Sequence, residues 1–409
     1  MTGPGKIRPV ELALAMSLYA LQGVVVAYLV NYNKTYMIHG GVEERTAGLV
    51  ETAVLMTLVF KFVLGPVSDR FNPLGLGHRR PFIMLGLVMQ SLGLIGLTIV
   101  HPGEHLAGYA AMAFLAVGGL ALYDTCCDGL VVDVTAPEDR VRVQGLVQVA
   151  RFLATMGFTL LFGLWMAKDR IGPGRSDGVL WACAGLGLPP LVLAFFVRER
   201  RDGPERPPFE WSALRVLARP EAIVLLAYGA LYGLIGLGVE FNLSRYYNWL
   251  GYDQDSVGWF GALRYGGRAA GALLLPAIRH RLGRRGELKV GLIALAATTA
   301  GQALAGGAVA TGAWAFVFGM ANGWNDALFC VLAMEAADPR MAASTFAIFM
   351  AVSNLSVAGN WLFLEAVVGL GLGYRPAFLL CAILASGLLV LVPALSRIRS
   401  KGPGADVES

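Results

Sequence analysis

The sequence predicts an all-α polytopic membrane protein of twelve transmembrane helices in two halves, and three observations carry that prediction. Of 409 residues, 56% are hydrophobic and 15% charged, against roughly 25% charged in an average soluble chain. Runs with little or no charge recur along the chain, as from Phe82 to Val100, each about 20 residues and so long enough to cross a bilayer core. The longest polar stretch, Arg198 to Pro220, lies at the midpoint with six apolar runs on either side. A large soluble enzyme matches the length but not the repeated uncharged runs.

In order, the runs fall at residues 12–32, 46–64, 82–100, 106–132, 145–166 and 178–197, then 221–241, 257–278, 288–307, 312–334, 342–366 and 375–395. The first is longer than a signal-peptide core and no small-residue cleavage site follows it, so it reads as a retained helix. The second holds only Glu51 and Lys61 as charges. Glycines four apart at Gly229/Gly233, Gly267/Gly271 and Gly319/Gly323 make small-residue faces. Such faces let helices approach closely where apolar burial gives no drive between them. The five cysteines (Cys126, Cys127, Cys183, Cys330, Cys381) all fall within spans. An odd number so placed is neither a disulfide framework nor a metal cluster, and they read as small apolar packing residues.

Net charge is +5, but its distribution matters more than its sum. On one side of the membrane lie both tails, the central stretch and the even-numbered turns, with most of the lysines and arginines. The other side has only Lys34, Arg45, Lys168, Arg170, Arg175, Arg245 and Arg375. The positive-inside rule places both termini in the cytoplasm of a cell whose inner membrane holds the protein. The basic patches are topology determinants rather than nucleic-acid surfaces. No soluble domain is expected.

Between spans 2 and 3 lies Gly65-Pro-Val-Ser-Asp69-Arg70, then His78-Arg79-Arg80-Pro81-Phe82. A Gly-x-x-x-Asp-Arg turn followed by two arginines resembles the signature loop of the major facilitator superfamily. There the loop joins helices 2 and 3 and acts as part of a conformational latch, its acid pairing with charge and capping a neighbouring helix. The resemblance carries that role to Gly65, Asp69, Arg70, Arg79 and Arg80. This chain departs from the common form by inserting Asn72 to Gly77 before the arginines. The Arg-Arg-Pro-Phe ending is similar to the glycoside–cation symporters and the bacteriochlorophyll-delivery branch. The run Tyr123 to Asp133 is similar to helix 4 of the muropeptide permeases, the acetyl-coenzyme A transporters and, again, the bacteriochlorophyll-delivery proteins.

An offset of 202 residues brings the halves into register, setting Asp124 on Asp326, Asp133 on Glu335 and Pro137 on Pro339. The loop's counterpart, Arg279-His-Arg-Leu-Gly-Arg-Arg285, lacks its acid. The resemblance implies two six-helix bundles related by a pseudo-two-fold axis along the membrane normal. The bundles span residues 1–198 and 221–409, with a linker at 199–220.

Charges inside spans cost about 2.5–3.5 kcal/mol each on insertion scales and face a cavity or a partner. Asp124 and Asp128 share one face of span 4. Asp128 and Arg151 stand equally far from the turn between spans 4 and 5, so they are expected to meet, either as a packing pair or as a binding site. Asp124 has no evident partner and is the better proton carrier. Asp133 is expected near the cytoplasmic boundary, either solvated or paired with the signature-loop arginines. Arg264 and Arg268 of span 8, flanked by Trp259 and Tyr265, suit an anion or equally neutralise Glu240 or Asp326. Asn322 and Asn325 accompany Asp326 in span 10. Gln22, Tyr28, Asn31 and Tyr32 of span 1 and Asn354 and Asn360 of span 11 either line a pathway or tie helices together.

No P-loop, His-Glu-x-x-His or Cys-x-x-Cys is present, and the five histidines sit at loops or helix ends. An enzyme is not expected, nor a cofactor. The expected protein is a monomeric secondary transporter moving a small polar, anionic or zwitterionic solute by alternating access. Its expected partners are that solute, protons and the bilayer. The alternative is a pigment or membrane-complex delivery factor on the same fold.

Overall fold

The computed structural model describes residues 7–165, 177–197, 199, 210–354 and 371–398. α1 runs Pro9–Tyr28 and continues through a π turn, Leu29–Asn33, into Lys34–His39. α2 comprises Glu44–Met56, a 3₁₀ turn Thr57–Phe60, and Lys61–Arg70. α3 is Arg80–Ile99, α4 Leu106–Val134, α5 Arg140–Trp165 and α6 Asp177–Phe196. In the second half α7 is Pro220–Trp249. Gln254–Leu304 is continuous apart from Gly283, whose φ of 61° and ψ of 169° break it into α8 (254–282) and α9 (284–304). α10 is Ala308–Ala336, α11 Ala342–Asn354 and α12 Tyr374–Leu395.

Among the described residues, eight helices are individually long and apolar enough to cross a membrane. The remaining spans are α5, α8 and α9 joined end to end, and α11. The fold is all-α with twelve spans. The expected span 11 beyond residue 354, including Asn360, lies outside the described residues.

Glycines set the close helix contacts. A Cβ on Gly267 or Gly271 of α8 would fall within 2.0 Å of the Phe316 or Met320 carbonyl of α10. One on Gly319 or Gly323 of α10 would fall 2.0 Å from the Arg264 or Arg268 carbonyl of α8. Each helix therefore presents its small residues to the other's backbone. In the first half Gly23 of α1 meets the Arg151 carbonyl of α5 in the same way. These contacts hold the backbones of Arg151, Arg264 and Arg268 at fixed depth. α5 also packs along α8, joining the halves.

Candidate functional site

A first charge cluster lies inside the first half. Lys61 starts the last segment of α2, just after the 3₁₀ turn, and its side chain is 3% exposed. Its ammonium bonds Asp124 Oδ2 and lies 3.7 Å from Asp128 Oδ2. Gln22 Nε2 donates to Asp124 Oδ2 at 3.0 Å, and the Tyr19 hydroxyl donates to Asp128 Oδ1 at 2.6 Å. One cation thus serves two carboxylates a helical turn apart.

This arrangement corrects two expectations. Asp124 does have a partner, because a long lysine from α2 reaches it. Asp128 forms no ion pair with Arg151, because Lys61 and Tyr19 occupy the acid while Arg151 turns toward the other half. Lys61 was legible in principle: shifting Arg264 back by the repeat offset lands one residue from it.

The second cluster lies in the second half. Glu240 of α7 sits 3.3 Å from Arg264 Nε and 2.9 Å from Arg268 Nη2. Arg268 also lies 3.3 Å from Asp326 Oδ2, while the Tyr232 hydroxyl donates to Asp326 Oδ1. The arginine pair is neutralised here by Glu240 and Asp326. Trp259 is 63% exposed and stands apart, whereas Tyr265 lies under Arg264 at 5.1 Å.

Between the halves is a cavity of ≈ 200 Å³ whose lining includes Arg151, Glu240, Arg268, Asp326 and Asn354, with Gln148 and Thr155 on the α5 face of Arg151. Asn354 Nδ2 donates to the Leu58 carbonyl that the 3₁₀ turn of α2 presents, at 3.2 Å. Other expected site residues pack elsewhere. Tyr28 is buried against Tyr109, their hydroxyls 3.3 Å apart. Asn322 bonds the Phe318 carbonyl. Asn325 ties α10 to the Gly291 carbonyl of α9 at 2.9 Å and to Tyr228 of α7 at 3.2 Å. Tyr28 and Asn325 are ties between helices, whereas Asn322 bonds back within α10. Tyr32 donates to the Thr159 carbonyl at 2.7 Å, and the Asn31 side chain lies outside the described residues.

A latch closes the basic face. Asp69 Oδ2 accepts from the backbone N–H of Ser344 at 2.8 Å and from its hydroxyl at 2.5 Å, in the first turn of α11. There the unpaired N–H groups and the helix dipole favour an anion. Arg79 Nη2 donates to Asp69 Oδ1 at 2.5 Å and lies 3.2 Å from Asp133 Oδ2, and Nη1 donates to Ser68 Oγ at 2.9 Å. Gly65 is needed there, as a Cβ would lie 2.7 Å from Ser344 Cα.

Arg70 and Arg80 stand outside the latch. Arg70 is exposed over the Phe71 ring, and the Arg80 guanidinium lies over Phe195. Arg80 contributes through its backbone instead. Glu199 accepts from the N–H groups of His78, Arg79 and Arg80 and so caps α3 despite the insertion. In the second half Arg284 bonds Glu335 at 2.7 Å and lies 3.4 Å from Glu287, so Glu287 supplies the acid its loop lacks.

Twelve spans in two halves around a charged central cavity, latched at one face, define a membrane solute transporter rather than an enzyme. The family model described as Major Facilitator Superfamily matches residues 12–359, and the chain belongs to that family. The anhydromuropeptide permease of Escherichia coli K12 is 24% identical over 355 residues, covering 83% of this chain and 71% of the permease. Protein PucC of Rhodobacter capsulatus is 27% identical over 218 residues, 47% of this chain and 46% of PucC. Among solved structures, the human organic anion transporter MFSD10 aligns with a TM-score of 0.70 at 16% identity, over 94% of this chain and 97% of that one. The E. coli fucose:proton symporter FucP aligns with a TM-score of 0.70 at 14% identity, over 95% and 98%. These two likenesses establish the fold.

Proposed function

We propose that this chain is a secondary active transporter that moves a small polar solute bearing an anionic group across the cytoplasmic membrane by alternating access, coupled to protons. The observation that carries the reading is the cavity between the halves, where Arg151, Arg268, Glu240 and Asp326 meet. Burying charges there is expensive, and a polar solute is the kind of occupant that offsets the cost. Its likeness to a muropeptide permease over most of its length supports an amino-sugar or sugar–peptide solute. The latch of Gly65, Asp69 and Arg79 would hold the cytoplasmic side shut, and the excess of basic residues on that face supports cytoplasmic termini. The halves at 1–198 and 221–409 would rock against each other about the 199–220 linker.

Coupling is assigned to Asp326 rather than Asp124. Asp124 is tied to Lys61 inside one half, whereas Asp326 lines the cavity. In proteoliposomes with an imposed pH gradient, Asp326→Asn should abolish accumulation of an N-acetylated amino-sugar peptide and leave counterflow partly intact. Asparagine keeps the shape of the protonated acid and removes only its titration. Full pH-driven accumulation in that variant would rule Asp326 out. The likeness to PucC supports a second reading, delivery of a pigment or membrane complex. Neither binding nor uptake of any polar solute would favour it.

A further inference from the structure

The charges in and beside the cavity balance in number, two acids and two bases in each half, but not in contact. In the second half, Glu240 and Asp326 face Arg264 and Arg268, two acids and two bases. Arg151 is different. Among the described residues its guanidinium has neither an ion pair nor a hydrogen bond, and it lies over the Phe152 ring at 5.7 Å. That same ring lies 5.2 Å from the guanidinium of Arg268. One arginine comes from α5 of the first half and the other from α8 of the second, and both line the cavity. Arg268 is only 5% exposed, yet its Nε has no hydrogen-bond partner. Two like charges from opposite halves thus converge on one aromatic ring, with donor capacity to spare.

From this we infer that Arg151 and Arg268 form a seat for an anionic oxygen group, a carboxylate or a phosphate, on the transported solute. The inference rests on the transporter reading above. Guanidinium forks match such groups bidentately, and Phe152 holds both planes in place through its face. An anion between them removes the repulsion that otherwise separates the two arginines. The solute's own charge therefore draws α5 toward α8, and binding energy is spent on joining the halves. Asp326 completes the cycle. It already lies 3.3 Å from Arg268 Nη2 and its side chain is 20% exposed toward the cavity, so it competes with an incoming anion for the same donor. A proton on Asp326, which Tyr232 also faces, neutralises one of the two acids at Arg268 Nη2 and opens that side of the guanidinium to the solute. Glu240, the other acid, stays at 2.9 Å. One proton enters with one anionic group, and the seat's net charge is unchanged.

The test uses purified full-length protein in detergent, at matched ionic strength. Thermal unfolding is followed while inorganic phosphate or glucuronate is titrated, with glucose as the neutral counterpart of the latter. At least one of the two anions should stabilise the protein, more strongly as pH falls, and glucose should add nothing. Phosphate alone would identify a phosphate group, and glucuronate alone a carboxylate. Arg151→Gln should weaken the anion's apparent affinity at least tenfold with little change in the melting temperature of the unliganded protein, because the side chain has no ion pair or hydrogen bond to lose, only its place over the Phe152 ring. Arg151→Lys should retain part of the affinity. Arg268→Gln strands two acids and can fail to fold, so Arg151→Gln is the deciding variant. If neither anion stabilises the wild type beyond a chloride control, or if Arg151→Gln binds as tightly, the seat is overturned. A neutral sugar taken up equally by wild type and Arg151→Gln proteoliposomes would overturn the seat and leave the transporter standing.

Discussion

Lys61 illustrates how a buried charge is justified by its neighbours. Its ammonium sits in a cluster with two carboxylates, and removing it would strand them where water cannot solvate them. Lys61→Met should therefore destabilise the protein by about 3–5 kcal/mol, the cost of breaking a buried pair from one side. Adding Asp124→Asn should recover part of that loss, because the two positions are coupled. Denaturant unfolding of the single and double variants measures both, and a single variant of wild-type stability would refute the cluster. At this scale the sequence was only partly legible. It marked Asp124, Asp128, Arg151, Arg264, Arg268 and Asp326 as residues that must have partners, because charge inside a span is costly. It did not tell which partner each finds. Counting from the turn put Asp128 and Arg151 at one depth but said nothing of rotation about the helix axes, and rotation decided the pairing.

The elements are positioned largely by glycine. α8 and α10 each lay small residues against the other's carbonyls, and this close approach brings Arg268 to Asp326. Gly323→Ala would put a methyl 2.0 Å from the Arg268 carbonyl, so the helices must part. Overpacking of this kind costs about 1–3 kcal/mol, and the pH dependence of transport should weaken with it. Gly258→Ala on the same α8 meets nothing within 4 Å, so it should be neutral or gain up to about 1 kcal/mol from helix propensity. Parallel melting curves of the two variants check the contrast, and equal losses would mean that the glycines are not contact residues. The spacing of Gly267/Gly271 and Gly319/Gly323 was visible in the sequence, but their reciprocal contact was not, since it depends on two helices distant along the chain. The apolar runs likewise located the helices. The continuity of α8 into α9 escaped them, because a short basic turn broken at one glycine still leaves the surrounding backbone helical.

At the scale of the molecule, the proposed transport requires two halves that pivot about a cavity which only one side can reach at a time. The described state is closed at the basic face, where Asp69 bridges to α11 and Gly65 lets α2 lie against Ser344. Asp69→Asn weakens that closure by replacing a charge-assisted acceptor at a helix N-terminus, so it should shift the population toward a state open at the basic face. The sequence announced this latch through its Gly-x-x-x-Asp-Arg turn, although Glu199, which caps α3 from beyond α6, carried no recognisable signal. The most direct test of the pivot is a pair of spin-label distances in proteoliposomes, one across each face. Labels at Leu76 and Arg281 span the basic face, and labels at Glu104 and Gly251 span the other; all four positions are exposed and each pair joins the two halves. Asp69→Asn should lengthen the first distance and shorten the second. Both distances unchanged, or both moving in the same direction, would contradict alternating access in this protein.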